Sequence, residues 1–382
     1  MKRRLLTILV AALMLSCGHH ADMQQELNEA CMACFPDGEP GAEVLLMLGD
    51  SVVFDHGYGL ADLKSRELID NETFFNIASC SKQFTSVAIL QLAEAGRLSI
   101  DDSICRWFPE FQSPIWKRVR IRHLLSHSSG IPDLRGYLTR EQKINGDEAL
   151  ATEYLRDLDT LHFEPGSAYE YINPTYVLLG QLVERASGQA FTDYVRGHIF
   201  IPAEMDRTLY FEREREDMIP HMAHGYEYAD VSDMPEERTA QPNDDSEKNW
   251  YEYDFGEETF FATRPDGGIY TSARELLRWE RYLRSELPSF PLLREAMTPQ
   301  TEVSGSPWSD YQNRPDTYYG FGWFIEKQRN AIRCIYHTGD NGGFKILIAR
   351  YPQKNALLLI LANRADWDRY ALKTRIEQIA GL

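Results

Sequence analysis

Phe74-Phe75-Asn76-Ile77-Ala78-Ser79-Cys80-Ser81-Lys82-Gln83-Phe84 is the stretch around which the chain is organised. From Ser81 to Glu94 there is no Pro or Gly, and Phe84, Val87, Ala88 and Leu92 are apolar at helical spacing. Gly96 is a C-terminal stop. The pattern predicts a helix that begins near Ser79. Ser79 then sits in the first turn, where free backbone N–H groups and the helix dipole favour negative charge. Lys82 lies one turn on, on the same face. A Ser hydroxyl is a poor nucleophile unless a base lies within hydrogen-bond reach. A Lys can be that base if burial or a neighbouring cation lowers its pKa. The spacing alone is weak, since about one Ser-x-x-Lys is expected by chance in a chain of this length.

With 382 residues the chain can build a large core, as one big domain or two ordinary ones. The net charge of −18 speaks against a nucleic-acid backbone as partner and against surface attraction to anionic lipid. Lys2, Arg3 and Arg4 form a basic start, and Leu5 to Leu15 is an apolar run too short to span a bilayer. Ser16-Cys17 follows at once. This resembles the lipobox of bacterial lipoproteins, in which the Cys becomes the lipidated first residue, with Met14 standing where Leu is usual. An ordinary cleaved signal peptide is the alternative. The expected organisation is a signal peptide over 1–16, a tether and helix over 17–38, and one domain over 39–382. Lipidation at Cys17 would anchor an exported protein in the bacterial cell envelope, its domain periplasmic or extracellular.

Besides Cys17 the chain carries Cys31, Cys34, Cys80, Cys105 and Cys334. Cys31 and Cys34 have redox-motif spacing, but no thioredoxin-like βαβ pattern surrounds them, so a local disulfide or two helix thiols is the plainer reading. Cys80 reads as a buried small side chain. His123 and His127, four apart, would share a helix face as two zinc ligands can, but no third ligand is evident. His221-x-x-His224 reads the same way. No metal and no organic cofactor is expected.

Strand patterns lie at the two ends of the chain and helical ones between. Ala42 to Leu48 and Val52 to Gly59 read as a hairpin. Residues 23–35, 147–160, Thr175 to Ala186 and Phe191 to Phe200 read as helices, and Thr271 or Ser272 caps another over Ala273 to Leu287. Residues 225–262 are acidic and aromatic, an excursion near a site entrance or a solvated loop. Tyr319 to Lys327 and Ile332 to Thr338 read as strands, Phe344 to Tyr351 and Ala356 to Ala362 as a hairpin, and Trp367 to Ile379 as a closing helix. This order predicts an α/β (α+β) fold. One antiparallel sheet is built from both chain ends and flanked by the terminal helices, with a mostly helical subdomain inserted at about 85–265.

Three elements can now be set together: Ser79-x-x-Lys82, Tyr171-Ile172-Asn173 before an amphipathic helix, and His337-Thr338-Gly339 at the end of a strand. With His123 to Pro132, Tyr176 to Gly180, Gly267 to Tyr270 and His337 to Phe344, the chain resembles the serine β-lactamase and penicillin-binding protein superfamily, in its class C-like branch. The resemblance runs from about residue 40 to 365. It implies a β-lactamase/transpeptidase-like fold and a serine hydrolase of the D-alanyl carboxypeptidase, D-aminopeptidase or β-lactamase type. A carboxylesterase of the same family is the alternative, and a non-catalytic peptidoglycan-fragment binding protein the second. The implied partner is a small molecule or short peptide, such as one derived from the cell wall.

The resemblance implies these roles. Ser79 forms the acyl-enzyme, Lys82 accepts the hydroxyl proton or tunes its neighbour, and Tyr171 is the general base. Asn173 hydrogen-bonds Lys82 and the acyl-side amide. The amides of Ser79 and Asp340 form the oxyanion hole, with Thr338 and Gly339 lining the substrate. Gly339 would let the substrate backbone lie against the strand. His337 stands where class C β-lactamases carry Lys to hold a substrate carboxylate, and His is only partly charged near neutral pH. Tyr311-Gln312-Asn313 is a second Tyr-x-Asn, in a polar stretch with no helix following.

Overall fold

The computed structural model describes residues 22–133, 138, 139, 141, 142, 146, 148–210, 219, 221–230, 248–252, 263–309, 314 and 316–382. The expected leader, Cys17, and the second Tyr-x-Asn at Tyr311 and Asn313 lie outside them.

An eight-stranded antiparallel sheet is the frame. Its spatial order is Thr301–Glu302, Thr317–Tyr319, Phe324–Gln328, Ala331–Asn341, Phe344–Tyr351, Ala356–Ala362, Ala42–Leu48 and Ser51–Tyr58. The N-terminal hairpin joins the C-terminal strands by pairing Ala42 with Ala362 and Leu48 with Ala356. The unbroken apolar run Ala356–Ala362 follows from cover on both faces. Leu357, Leu359 and Leu361 pack toward the helical part of the chain, while Leu358, Ile360 and Ala362 pack toward the terminal helices. Burial of each Leu or Ile contributes about 1.5–3 kcal/mol. The helix over 22–32 supplies Leu27 and Cys31 to the second layer, and the helix Arg369–Ala380 supplies Leu372 and Ile376.

On the other face lies the helix Lys82–Glu94, buried along most of its length. Its Phe84 ring stacks on Trp279 at 4.3 Å. Helix Asn173–Ser187 packs beside it and ends at Gly188, φ +76°. Among the described residues no helix is long and apolar enough to cross a membrane.

Two readings of the sequence are corrected. Tyr319 to Lys327 is not one strand: Thr317–Tyr319 and Phe324–Gln328 are separate, joined by a turn in which the Gly320 N–H donates to the Trp323 carbonyl at 2.8 Å. Gly322 there has φ +93°, and a Cβ would lie 2.6 Å from Ser86 Oγ, so the turn packs on the helix behind Ser79. His123 and His127 do not share a helix face, because the helix ends at Leu125 and His127 has φ +52°. Between Leu60 and Thr73 two short strands, Leu60–Asp62 and Glu67–Leu68, pair antiparallel. Within 225–262, Tyr226–Asp230 and Lys248–Glu252 pair antiparallel.

Glu43, fully buried, lies opposite Gly57 and Leu361 in this sheet. Burial first, then the neighbouring Asp55 and Asp70 carboxyls, push its pKa up to about 10. A raised carboxyl pKa contributes stability that is full below about 4.5 and is lost as pH rises toward about 10. Glu43→Gln removes that loss. The variant is expected to match the parent's melting temperature near pH 4 and to exceed it increasingly up to pH 8, by at most about 1.4 kcal/mol per pH unit. A gap that does not change with pH in thermal melts contradicts this.

Candidate active site

Ser79 lies in a single 3-10 turn, Ala78–Ser81, with the α-helix starting at Lys82. The turn is tightly built. Asn76 Oδ1 accepts the Ala78 N–H at 2.8 Å. The Ile77 N–H donates to the Ile269 carbonyl at 3.0 Å, and Ser81 Oγ accepts the Ile269 N–H at 3.2 Å. Strand Ile269–Thr271 therefore braces the turn from below. Ala78, just before Ser79, has φ +46°, a left-handed conformation that costs a non-glycine residue about 1–2 kcal/mol. The Cys80 N–H goes to the Ile77 carbonyl. Among the described residues the Ser79 N–H makes no hydrogen bond, which leaves it open to an oxyanion.

Lys82 is completely buried. Its Nζ donates to Ser79 Oγ at 3.0 Å and to the Asp266 carbonyl at 2.7 Å. It also stands 5.1 Å from the Tyr171 ring centroid and 5.5 Å from that of Tyr176. The Asp266 carbonyl is fixed because Thr85 Oγ1, one turn along the helix, holds the adjacent Pro265 carbonyl at 2.6 Å. Asp266 was not expected as a site residue. Its only trace in the sequence is the Pro-Asp-Gly-Gly turn that contains it.

Tyr171 ends the loop before helix Asn173–Ser187 and is brought to Lys82 as expected. The hydrogen bond expected between Asn173 and Lys82 is not made. Asn173 Oδ1 is buried without a hydrogen bond among the described residues, and the backbone carbonyl of Asp266 takes that place on Lys82.

His337, Thr338, Gly339 and Asp340 lie on strand Ala331–Asn341. Pairing with Phe324–Gln328 stops at Tyr336, while pairing with Phe344–Tyr351 continues to Asn341. Residues 337–341 therefore form an edge beside the Ser79 turn. Gly339 is required by the packing of the protein itself: a Cβ there would lie 2.3 Å from the Ile77 carbonyl oxygen and 3.1 Å from Ala78 Cβ. The collision is with the protein's own Ser79 turn.

His337 departs from the sequence reading as well. It is buried, its Nδ1 donates to the Thr338 carbonyl at 2.7 Å, and its Nε2 accepts from the Tyr319 hydroxyl at 2.9 Å. Burial, then the Lys82 charge, lower its pKa to about 3. It is a neutral imidazole behind Tyr171 rather than a partly charged anchor for a carboxylate. Arg369, which the sequence gave no reason to single out, holds Asp340 Oδ2 at 2.9 Å and the Gly339 carbonyl at 3.1 Å. This pins the outer end of the edge strand. No cluster of three or more His, Cys, Asp or Glu that could hold a metal ion occurs among the described residues.

Gly339→Ala should push the edge strand off the Ser79 turn. A cooperative unfolding transition should persist while Ser79 labelling by a fluorophosphonate slows at least about tenfold, as for a misplacement of about an ångström. Labelling at the parent's rate contradicts the packing argument.

Comparison with known proteins adds to this geometry. The profile of the Beta-lactamase family matches residues 28–381. Penicillin-binding protein 4* of Bacillus subtilis (strain 168) is 28% identical over 331 residues, which cover 86% of this chain and 69% of that protein. Protein flp of Staphylococcus aureus (strain MW2) is 26% identical over 349 residues, 90% of this chain and 63% of its own length. The chain thus spans about two thirds of these curated relatives. The crystal structure of a penicillin-binding protein from Bacillus halodurans superimposes with a TM-score of 0.74 at 25% identity, covering 94% of this chain and 98% of that one. The fold is β-lactamase/transpeptidase-like, and the chain belongs to the Beta-lactamase family of serine hydrolases.

Proposed function

We propose that this protein forms an acyl-enzyme on Ser79 and hydrolyses D-amino-acid peptides or β-lactam-like amides. The observation that carries the proposal is the 3.0 Å contact between buried Lys82 Nζ and Ser79 Oγ, made under the Tyr171 ring. Tyr171, held as the phenolate by the facing Lys82 ammonium, takes the hydroxyl proton as general base and becomes the phenol. Ser79 Oγ then bonds to the substrate carbonyl carbon, and the negative oxygen is held by the amides of Ser79 and Asp340. The proton passes to the leaving nitrogen as the C–N bond breaks, and water hydrolyses the ester. Asn173 Oδ1, buried and unclaimed, serves as acceptor for the acyl-side amide N–H. The names of the penicillin-binding relatives support a β-lactam-like amide.

A carboxylic ester is the second reading. It is favoured by the neutral His337, which leaves a substrate carboxylate without the fixed cation that a Lys would give it. The basic start and apolar run of the leader support export, with lipid attachment at Cys17 and the domain outside the cytoplasm.

Ser79→Ala should abolish turnover across panels of D-peptides and esters with the fold intact; turnover within about tenfold of the parent contradicts the assignment. Tyr171→Phe should slow acylation by about two to four orders of magnitude, as for loss of a general base. If Tyr311→Phe has that effect instead, the base is misassigned.

A further inference from the structure

His127 holds the chain on both sides of Tyr171. Its carbonyl accepts the Glu170 N–H at 2.9 Å, and its ring Nδ1 accepts the Ile172 N–H at 3.2 Å. One residue can do both because its backbone is left-handed, φ +52°, just past the helix Ile121–Leu125. That turn is tied down by Ser126 Oγ, which lies 2.8 Å from Ser128 Oγ and donates to the Arg122 carbonyl at 2.8 Å. The His127 ring lies 4.3 Å from the Tyr171 ring, 4.9 Å from Tyr319 and 5.1 Å from Tyr176.

Because Nδ1 accepts an amide N–H, the ring proton sits on Nε2. Nε2 is buried and has no hydrogen-bond partner among the described residues. A buried donor left unsatisfied is destabilising, so packing alone would favour an apolar side chain here. Burial, then the Lys82 charge, hold the imidazole far below its ordinary pKa, so it stays uncharged. It adds no second cation beside Lys82.

We propose that His127 is the positioning residue for Tyr171. Its carbonyl and Nδ1 fix the backbone on either side of the base, and its ring fixes the plane of the phenol against Lys82 and Ser79. The inference rests on Tyr171 being the general base of the reaction proposed above. It gives the His123 to Pro132 segment a catalytic purpose beyond packing.

The test compares His127→Gly with His127→Asn. Gly keeps the left-handed turn and the carbonyl but removes the ring; Asn also tolerates the turn and places an acceptor near Nδ1. Acylation of Ser79 by an activated ester is followed against pH in each, alone and with Tyr171→Phe, together with thermal melts. His127→Gly should slow acylation about 10–100-fold and displace the acidic limb of the pH–rate profile. His127→Asn should recover to within about fivefold of the parent. In the Tyr171→Phe background the His127→Gly effect should vanish.

An effect that persists in that background, an unmoved pH profile, or His127→Gly within about threefold of the parent overturns the proposal. Should His127→Gly fail to fold, 15N-histidine NMR of the parent decides. A neutral ring protonated on Nε2 that responds to acylation of Ser79 supports the role. Protonation on Nδ1, titration near the ordinary value, or no response to acylation overturns it. A parent that acylates normally with insensitive variants sinks this inference alone. A parent that never acylates sinks the Ser79 reading, and this inference with it.

Discussion

A lysine ammonium taken wholly out of water must find partners, or folding fails by several kcal/mol. Lys82 finds the Ser79 hydroxyl, the Asp266 carbonyl and the faces of Tyr171 and Tyr176. Much of the surrounding structure is needed to bring those four together. The left-handed Ala78 turns Ser79 back over Lys82. Thr85 secures the segment that presents the Asp266 carbonyl. The loop before Asn173 brings Tyr171 across from a different part of the chain. The strain at Ala78 and the desolvation of Lys82 persist because neighbours fix both from several sides, the usual condition for strain to survive at a reactive site.

The sheet contributes shape more than charge. Its edge at 337–341 approaches the Ser79 turn so closely that only glycine fits at 339. On the other side Arg369 draws in Asp340 and the Gly339 carbonyl, so the edge is clamped between the turn and the last helix. The closing of the sheet by both chain ends is therefore part of the site. Strand Ala42–Leu48 and helix Arg369–Ala380 support an edge that meets a serine in the first third of the chain. Neutral imidazoles at 127 and 337 line the region behind Tyr171, leaving Lys82 as the charge the phenol faces.

Local chemistry was legible in the sequence where it depends on neighbours close along the chain. The hairpin at Ala42–Tyr58 and the helix after Ser81 follow from apolar periodicity and turn residues. Tyr171 could be singled out by the helix that follows it. Features set by long-range contact were not legible. Nothing local to Arg369 marks it as the partner of Asp340, 29 residues earlier. Burial, not residue type, decides that His337 is uncharged, and burial belongs to the assembled fold. The Tyr319 to Lys327 stretch reads as continuous strand until the left-handed Gly322 is seen to pack on Ser86. The packing reason for glycine at 339 was not legible, since the Ile77 carbonyl that a Cβ would strike lies far from it in the chain.

The central claim is that the Lys82 contact makes Ser79 the acylated residue. Intact mass and peptide mapping after incubation with benzylpenicillin and, separately, a fluorophosphonate test it most directly. The account predicts a single adduct, located on the peptide that carries Ser79 and absent from Ser79→Ala, with the fluorophosphonate at least. An adduct on another residue, or an unmodified chain with both reagents, would contradict it.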